Sequence, residues 1–239
     1  MRISVIIPAY IDSEQDKVYL KCAIESVVNQ TRKADEVIIV DDCSPLDIKD
    51  IIPEHFKYVR NKTNMGIGYT RQRGVDESTG DYVCFLSHDD VYHSNFIEIM
   101  ENYSKKYPEK ILYCGYYNIN ERGIITGRFV PPSFDNREDF IVAVWSWAYR
   151  NDMFTNFNCL FIPKKCFEII RIDEKLRFGE DLKWVLMASK KFEFAYVPEL
   201  LVYYRRHGGQ ETLKIMEEIA KNNEKIRKEV DRWWNEDNS

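Results

Sequence analysis

Over the first part of the chain, short unbroken apolar runs alternate with stretches whose apolar residues recur at helical spacing. Residues 3–7 form a continuous apolar run, the pattern of a strand covered on both faces. Val18, Leu20, Ala23, Ile24, Val27 and Val28 then recur at the spacing of a helix face. A second buried strand is predicted at 37–40 and a weaker third at 56–59. A helix from Ile67 to Val75 follows Asn64-Met65-Gly66, and the turn signal Thr79-Gly80-Asp81 announces a fourth strand at 82–86. Strand–helix–strand alternation of this kind implies a mostly parallel sheet with helices on both faces.

The second half is less regular. A strand is predicted at 111–117, then a turn at Glu121-Arg122-Gly123 leading to Ile124-Ile125, and a helix at 137–149 carrying Trp145 and Trp147. Strands at 159–162, 192–197 and 201–204 are expected around a helix at 181–188. From Thr212 the pattern is helical and highly charged, ending in Trp233-Trp234. No internal repeat or linker divides the chain. The expected architecture is therefore α/β: a single Rossmann-like domain at 1–211 with a mostly parallel central sheet flanked by helices, plus a C-terminal helical extension at 212–239.

Composition narrows the function. Apolar residues make up 44% and charged residues 31%, so the chain can bury a full core. A net charge of −5 without a basic block argues against nucleic acid as the main partner, though not against a small basic pocket for a diphosphate. No apolar run approaches the roughly 18–20 residues needed to span a bilayer, and Pro8 ends the N-terminal run without a cleavage site. The six cysteines are scattered without metal-type spacing, which suits reduced thiols in a cytoplasmic protein.

In an open parallel sheet, ligands bind at the carboxyl ends of the strands. Here the predicted strand ends run into Pro8-Ala9-Tyr10, Asp41-Asp42-Cys43-Ser44 and Ser87-His88-Asp89-Asp90. Four carboxylates at one edge repel one another unless cations or hydrogen-bond donors offset them. A hard cation such as Mg²⁺ or Mn²⁺ takes one or two protein carboxylates plus substrate phosphates, which suits Asp89-Asp90. Equally, Asp90 could cap the helix starting near Ser94, and Asp41-Asp42 could form a capping turn. On the functional reading, Asp41-Asp42 accepts hydrogen bonds from a nucleobase or ribose, and Tyr10 offers an aromatic face for stacking.

The segments Ser4–Tyr10 and Glu36–Ser44, then Asn64-Met65-Gly66 with Thr70-Arg71 and Gly74, then Gly80–Val83 and Asp89-Asp90, resemble the opening of family-2 glycosyltransferases with the A-type fold. The match is dense over about 3–100 and sparse over 155–210. The resemblance implies a nucleotide-binding half at about 1–100 and an acceptor and catalytic half at about 101–211. It implies nucleotide contacts from Pro8, Tyr10, Asp41, Asp42, Asn64, Gly66, Arg71 and Asp89, and a Mn²⁺ or Mg²⁺ ion held by Asp89, Asp90 and His207. Ser87 stands where the family often has a carboxylate, which shifts the metal onto Asp89 and Asp90.

Later in the chain, Phe178-Gly179-Glu180-Asp181 resembles the family's Glu-Asp element, in which the aspartate is the general base. The chemistry asks for one, because an acceptor hydroxyl is a poor nucleophile until its proton is removed. Glu180-Asp181 would also place negative charge favourably at a helix N-terminus. The segment Tyr203–Gln210 resembles a late motif in which a basic residue meets the diphosphate, here Arg206 or His207, and Gly208-Gly209 would permit a mobile loop. The Gln-x-x-Arg-Trp element of processive synthases is absent, which favours transfer of one sugar at a time.

The resulting expectation is an inverting transferase that moves a sugar from a nucleotide-diphosphate donor, a UDP-sugar by resemblance, to a saccharide or lipid-linked glycan, with Asp181 as base and Glu180 beside it. Trp145, Trp147, Asn156 and Asn158 are candidates for the acceptor side, although both tryptophans suit a core equally well. The tail with Trp233-Trp234 suggests a peripheral contact at the inner membrane face, which its mixed charge would keep weak. Two other readings share part of the pattern. A nucleotidyltransferase would carry a glycine-rich loop where Pro8-Ala9-Tyr10-Ile11-Asp12 stands, and a non-catalytic receiver-like domain would not need Glu180-Asp181 or Arg206-His207.

Overall fold

The computed structural model describes residues 1–149, 155–176, 178–208 and 216–237. Its strands are β1 (Ile3–Ala9), β2 (Glu36–Asp41), β3 (Lys57–Arg60), β4 (Tyr82–Phe85), β5 (Val91–Tyr92), β6 (Ile111–Ile119), β7 (Ile125–Phe129), β8 (Leu160–Pro163) and β9 (Phe194–Arg205). The helices are α1 (Glu14–Val28), α2 (Ile67–Glu77), α3 (Phe96–Lys106), α4 (Arg137–Tyr149), α5 (Lys165–Ile169), α6 (Glu180–Lys191) and α7 (Met216–Asp237).

The strands form one sheet in the order β3-β2-β1-β4-β8-β6-β9-β5, with β7 paired to β6. β1 is parallel to β2 and β4, and β2 to β3. β8 runs antiparallel to both β4 and β6, so β6 and its parallel neighbour β9 regain the direction of β1. Only β5, β7 and β8 among the described strands run the other way. The carboxyl ends of β1, β2, β4 and β9 therefore lie along one edge of the sheet, and so does the amino end of β8.

Alternation along β1 splits the core. Ile3, Val5 and Ile7 pack with Leu20, Ala23, Ile24 and Val27 of α1 and with Phe96, Ile97 and Met100 of α3. Ile6, with Ile38 and Val40 of β2, packs on the other face beneath α2, α4, α6 and α7. Helices cover both faces, as a parallel sheet requires. Pro8 sits inside β1 at no cost to the ladder on one side: pairing with β4 ends at Ile6, and Pro8 has only Val40 of β2 beside it.

Several boundaries differ from those the pattern predicts. The strands expected at 192–197 and 201–204 are one continuous β9, whose pairing with β6 shifts register around Gly115. The strand expected at 159–162 begins one residue later, after a 3₁₀ turn at Phe157–Cys159. The short β5 and α5 escape pattern reading altogether. The expected C-terminal helix is present as α7, but it packs on α4 and α6, and Ile226 and Val230 are buried in the core. Trp233 is packed against that core, and Lys191 Nζ lies 5.5 Å from its ring centre. Lys190 Nζ similarly lies 4.8 Å from the ring centre of Trp234. The tail's aromatic pair is thus engaged by the chain's own α6. Among the described residues no helix is long and apolar enough to cross a membrane.

Candidate active site

The two residues that end β2 have different work. Asp41 is fully buried; its Oδ1 accepts from the Ser44 amide at 2.8 Å and its Oδ2 from the Tyr58 hydroxyl and the Arg60 guanidinium. Asp41, expected as a nucleotide contact, is held by donors of its own loop and of β3. Asp42 turns the other way through Cys43, whose φ of 63° lies in the left-handed region. Asp42 Oδ1 accepts from Asn61 Nδ2 at 2.7 Å and the Met65 amide at 2.8 Å, and Oδ2 from the Gly66 amide at 2.8 Å. These bonds occupy three of a carboxylate's roughly four acceptor sites. Asp42 therefore caps neither flanking helix by the expected turn; it ties the end of β2 to the turn before α2, where Gly66 takes φ 89°. Tyr10, at the end of β1, stands exposed beside this turn's strand, whereas Pro8 is buried within the sheet. Asn64 is exposed on the turn itself.

Asp89 and Asp90, after β4, divide in the same way. Asp90 is 1% exposed. Its Oδ1 accepts from the Arg205 amide at 2.7 Å and its Oδ2 from Asn158 Nδ2, so both oxygens are taken. Burial pushes this carboxyl well above the usual range, and the charge of Asp89 adds to the rise. The cap reading fails, since Asn95 occupies the N-cap position of α3. Asp90, expected as a metal ligand, is here a buried brace between β4, β9 and the turn before β8. Asp89 is partly exposed. Its Oδ2 accepts from His207 Nε2 at 3.1 Å, and its backbone carbonyl accepts from Arg205 Nε at 2.8 Å. Burial alone would raise Asp89, but the bond from His207 and the nearby charge of His88 hold it below the ordinary carboxylate value.

The Asp89–His207 pair bears on the expected cation. Asp89 Oδ2 and His207 Nε2, joined here by a hydrogen bond, are both atoms able to ligate a cation. Among the described residues no group of three or more His, Cys, Asp and Glu side chains is placed to hold a metal ion. The pair fits a hard cation that draws most of its ligands from a diphosphate and water, and not a cage built from protein alone.

Tyr19 of α1 supports this corner. The Arg205 guanidinium lies 4.5 Å from its ring centre, and the His207 ring centre 5.1 Å from it. Arg206, by contrast, is exposed: it bonds Asn118 Oδ1 at 3.2 Å and lies 4.5 Å over Tyr204. Arg206, His207, Arg122 and Ile124 line an open depression of about 530 Å³ between the β6–β7 turn and the end of β9. Gly208 is described, but Gly209 and the loop expected around it lie outside the described residues.

The second acidic pair joins the first through the 3₁₀ turn. Asn158 holds Asp90 with one end and accepts from the Ser87 amide and hydroxyl at 3.1 Å with the other. Its neighbour Phe157 lies under Arg71, 5.3 Å from the guanidinium carbon. Arg71 in turn pairs with Glu180. Arg71, expected as a nucleotide contact, reaches across to α6, with its Nε buried and unpartnered among the described residues. Burial pushes the Glu180 carboxyl up to about 7 against the pull of Arg71, and adjacent Asp181 contributes to the rise. Asp181 is half-buried in the first turn of α6, with Oδ1 accepting from the Leu182 amide at 2.8 Å.

Asn158 and Asn156, candidates for the acceptor side, are structural here: Asn156 accepts from the Asn158 amide at 3.0 Å. Trp145 is buried, and Trp147 packs edge-on to Phe129 at 5.6 Å. The residues that pattern reading missed include Tyr19, Asn61 and Phe157. None belongs to a local motif, and each matters through a partner distant in sequence.

Residues 4–159 match Glycosyl transferase family 2. This chain belongs to that family. It is 26% identical over 212 residues to an uncharacterized glycosyltransferase of Methanocaldococcus jannaschii, covering 85% of this chain and 70% of that one. It is 29% identical over 229 residues to the minor teichoic acid biosynthesis protein GgaB of Bacillus subtilis, covering 88% of this chain and 24% of that protein. The fold is similar to that of S. aureus TarS residues 1–349 in complex with UDP-GlcNAc, with a TM-score of 0.69 at 19% identity, covering 89% of this chain and 61% of that one. The chain thus spans less than two thirds of the TarS fragment. Family 2 membership and the A-type fold agree with the expectation from the strand-end motifs.

Proposed function

We propose that this family 2 chain transfers one sugar from a nucleoside-diphosphate donor, a UDP-sugar, to a hydroxyl of a saccharide or lipid-linked glycan, with inversion at the anomeric carbon. The observation that carries the reading is the gathering of Tyr10, Asp42, Asp89, His207 and the Glu180-Asp181 turn along one sheet edge, joined through Asn158, Phe157 and Arg71. The UDP-GlcNAc held by the TarS fragment of like fold supports the choice of donor.

The nucleotide lies at the ends of β1 and β2. Tyr10 presents its ring to the base, and Asp42, its loop already fixed by the Met65 and Gly66 amides, offers its remaining acceptor capacity. Asp41 and Pro8 act behind these contacts and do not touch the ligand. Asp89 and His207 face the diphosphate and would hold Mn²⁺ or Mg²⁺ there. Such an ion supplies charge stabilisation to a departing diphosphate. Arg206 faces the same depression and adds positive charge.

Asp181 takes the proton from the acceptor hydroxyl as it attacks the anomeric carbon from the side opposite the nucleotide. It stands in the first turn of α6, next to Glu180 of the buried Arg71–Glu180 pair. One in-line displacement breaks the bond from sugar to phosphate as the new glycosidic bond forms, and nucleoside diphosphate leaves.

Calorimetric titration with UDP, with and without Mn²⁺, tests the donor site. Binding that strengthens with Mn²⁺ in the wild type and loses that dependence in Asp89→Asn is expected; binding indifferent to both would refute the assignment.

A further inference from the structure

The turn that delivers Glu180 and Asp181 is built from two parts of the chain. Gly179 has φ 76° and is the N-cap of α6, a position without a side chain to satisfy the helix. The Gly179 carbonyl enters the α6 ladder by accepting from the Lys183 amide at 2.9 Å. The Phe178 carbonyl, one residue earlier, lies outside that ladder, and its donor comes from α7: Asn222 Nδ2 reaches it at 2.6 Å. A buried or half-buried carbonyl needs such a partner.

α7 also fills the space that the glycine leaves. A Cβ on Gly179 would stand 2.8 Å from Ile226 Cδ1, 3.4 Å from Asn223 Oδ1 and 3.5 Å from Asn222 Nδ2. One turn further on, Lys183 Nζ pairs with Asp173 at 2.7 Å and with Glu229 of α7 at 2.9 Å. Arg227 Nη1 donates to the Ala148 carbonyl at 2.6 Å and fastens α7 to α4. The first turn of α6 is therefore held before and after Asp181 by one helix drawn from the end of the sequence.

We propose that Asn222 is a positioning residue for Asp181, and that α7 belongs to the catalytic apparatus. This rests on the reading of Asp181 as the base. By holding the Phe178 carbonyl, Asn222 fixes the left-handed turn and with it the direction in which Asp181 leaves α6. A displacement of about 1 Å in a reacting group can cost about 10²-fold in rate, so a carboxamide that touches no substrate still governs turnover.

The test uses the full chain with Asn222→Asp, which keeps the shape but sets a carboxylate against a carbonyl. Two quantities are read: hydrogen exchange at the Lys183 amide, and release of nucleoside diphosphate from a panel of nucleotide sugars with Mn²⁺. The expected result is exchange about tenfold faster or more, with the amides of β1 and β2 unchanged. With it, kcat should fall about tenfold or more while the donor KM moves less than about twofold. Unchanged exchange, or unchanged kcat, or a change confined to KM overturns the proposal. If the wild type itself releases no nucleoside diphosphate, the transferase reading fails, and exchange alone still decides whether Asn222 holds the turn. Should the aspartate variant not fold, Asn222→Ala removes the same donor without repulsion and is judged by the same criteria.

Discussion

In the acidic pair after β4, one carboxylate is buried and the other is partly exposed. Asp90 is buried and bonded by Asn158 and Arg205, whereas Asp89 is partly exposed; Asp41 and Asp42 are both buried and each accepts three internal hydrogen bonds. The two members of Asp89-Asp90 should then respond differently. Asp89→Asn is expected to abolish the Mn²⁺ dependence of UDP binding with little change in stability. Asp90→Asn should keep that dependence but lose about 1–3 kcal/mol of stability in urea denaturation, because its amide sets a donor against Asn158. Equal effects on both quantities would contradict the division. The presence of two acidic pairs was legible along the chain, but which member turns inward was not. That choice is made by Asn158 and Arg205, which reach Asp90 from 68 and 115 residues away.

Glu180 yields a pH prediction. Its carboxyl is raised to about 7 in the folded protein, chiefly by burial, above the ordinary value of 4.5. The folded state therefore binds this proton more tightly than the unfolded chain does. The contribution of Glu180 to stability falls as pH rises from about 4.5 to about 7, and is level outside that window. In Glu180→Gln this slope should vanish, so the stability of the wild type minus that of the variant should decrease with pH across the window. A difference that is flat or rises, followed by thermal denaturation at each pH, would show that Arg71 and not burial controls the group.

Among the elements, those made of long apolar runs or clear helical spacing were legible, and those made by tertiary pairing were not. β1, β2, α1 and α6 carry their own signals. β9 was read as two strands because Pro198 and Glu199 interrupt its apolar pattern, yet pairing with β6 carries it through the break by a shift of register. β5 has only two residues and exists because β9 lies beside it. α7 was read as a charged extension; its buried stripe of Asn223, Ile226, Arg227 and Val230 has helical spacing but includes two polar residues, which conceals it. The contact of α7 with Gly179 predicts a coupled pair of substitutions. Gly179→Ala should cost about 1–2 kcal/mol from the left-handed backbone and more from contact with Ile226. In the background of Ile226→Ala the contact part disappears, so a double-mutant cycle by denaturation should show positive coupling between the two sites. Strict additivity would mean that the helix does not bear on the turn.

For the chain as a whole, the direction of the strands does most to assemble the site. Because β8 reverses between β4 and β6, β9 returns parallel to β1, and His207 emerges at the same edge as Tyr10, Asp42 and Asp89. The strand-end residues of this edge were readable from local motifs alone. The Glu180-Asp181 turn is tied to it by the crossing of Arg71 to Glu180, which joins positions 109 residues apart. Family 2 membership and the fold support glycosyl transfer as the reaction.

Product analysis of wild type and Asp181→Asn on a panel of nucleotide sugars with Mn²⁺ tests that reaction most directly. The account predicts release of nucleoside diphosphate from at least one donor by the wild type, and a fall of about 10²–10⁴-fold in Asp181→Asn with UDP binding intact. Release of pyrophosphate instead, or turnover in Asp181→Asn close to that of the wild type, would contradict it.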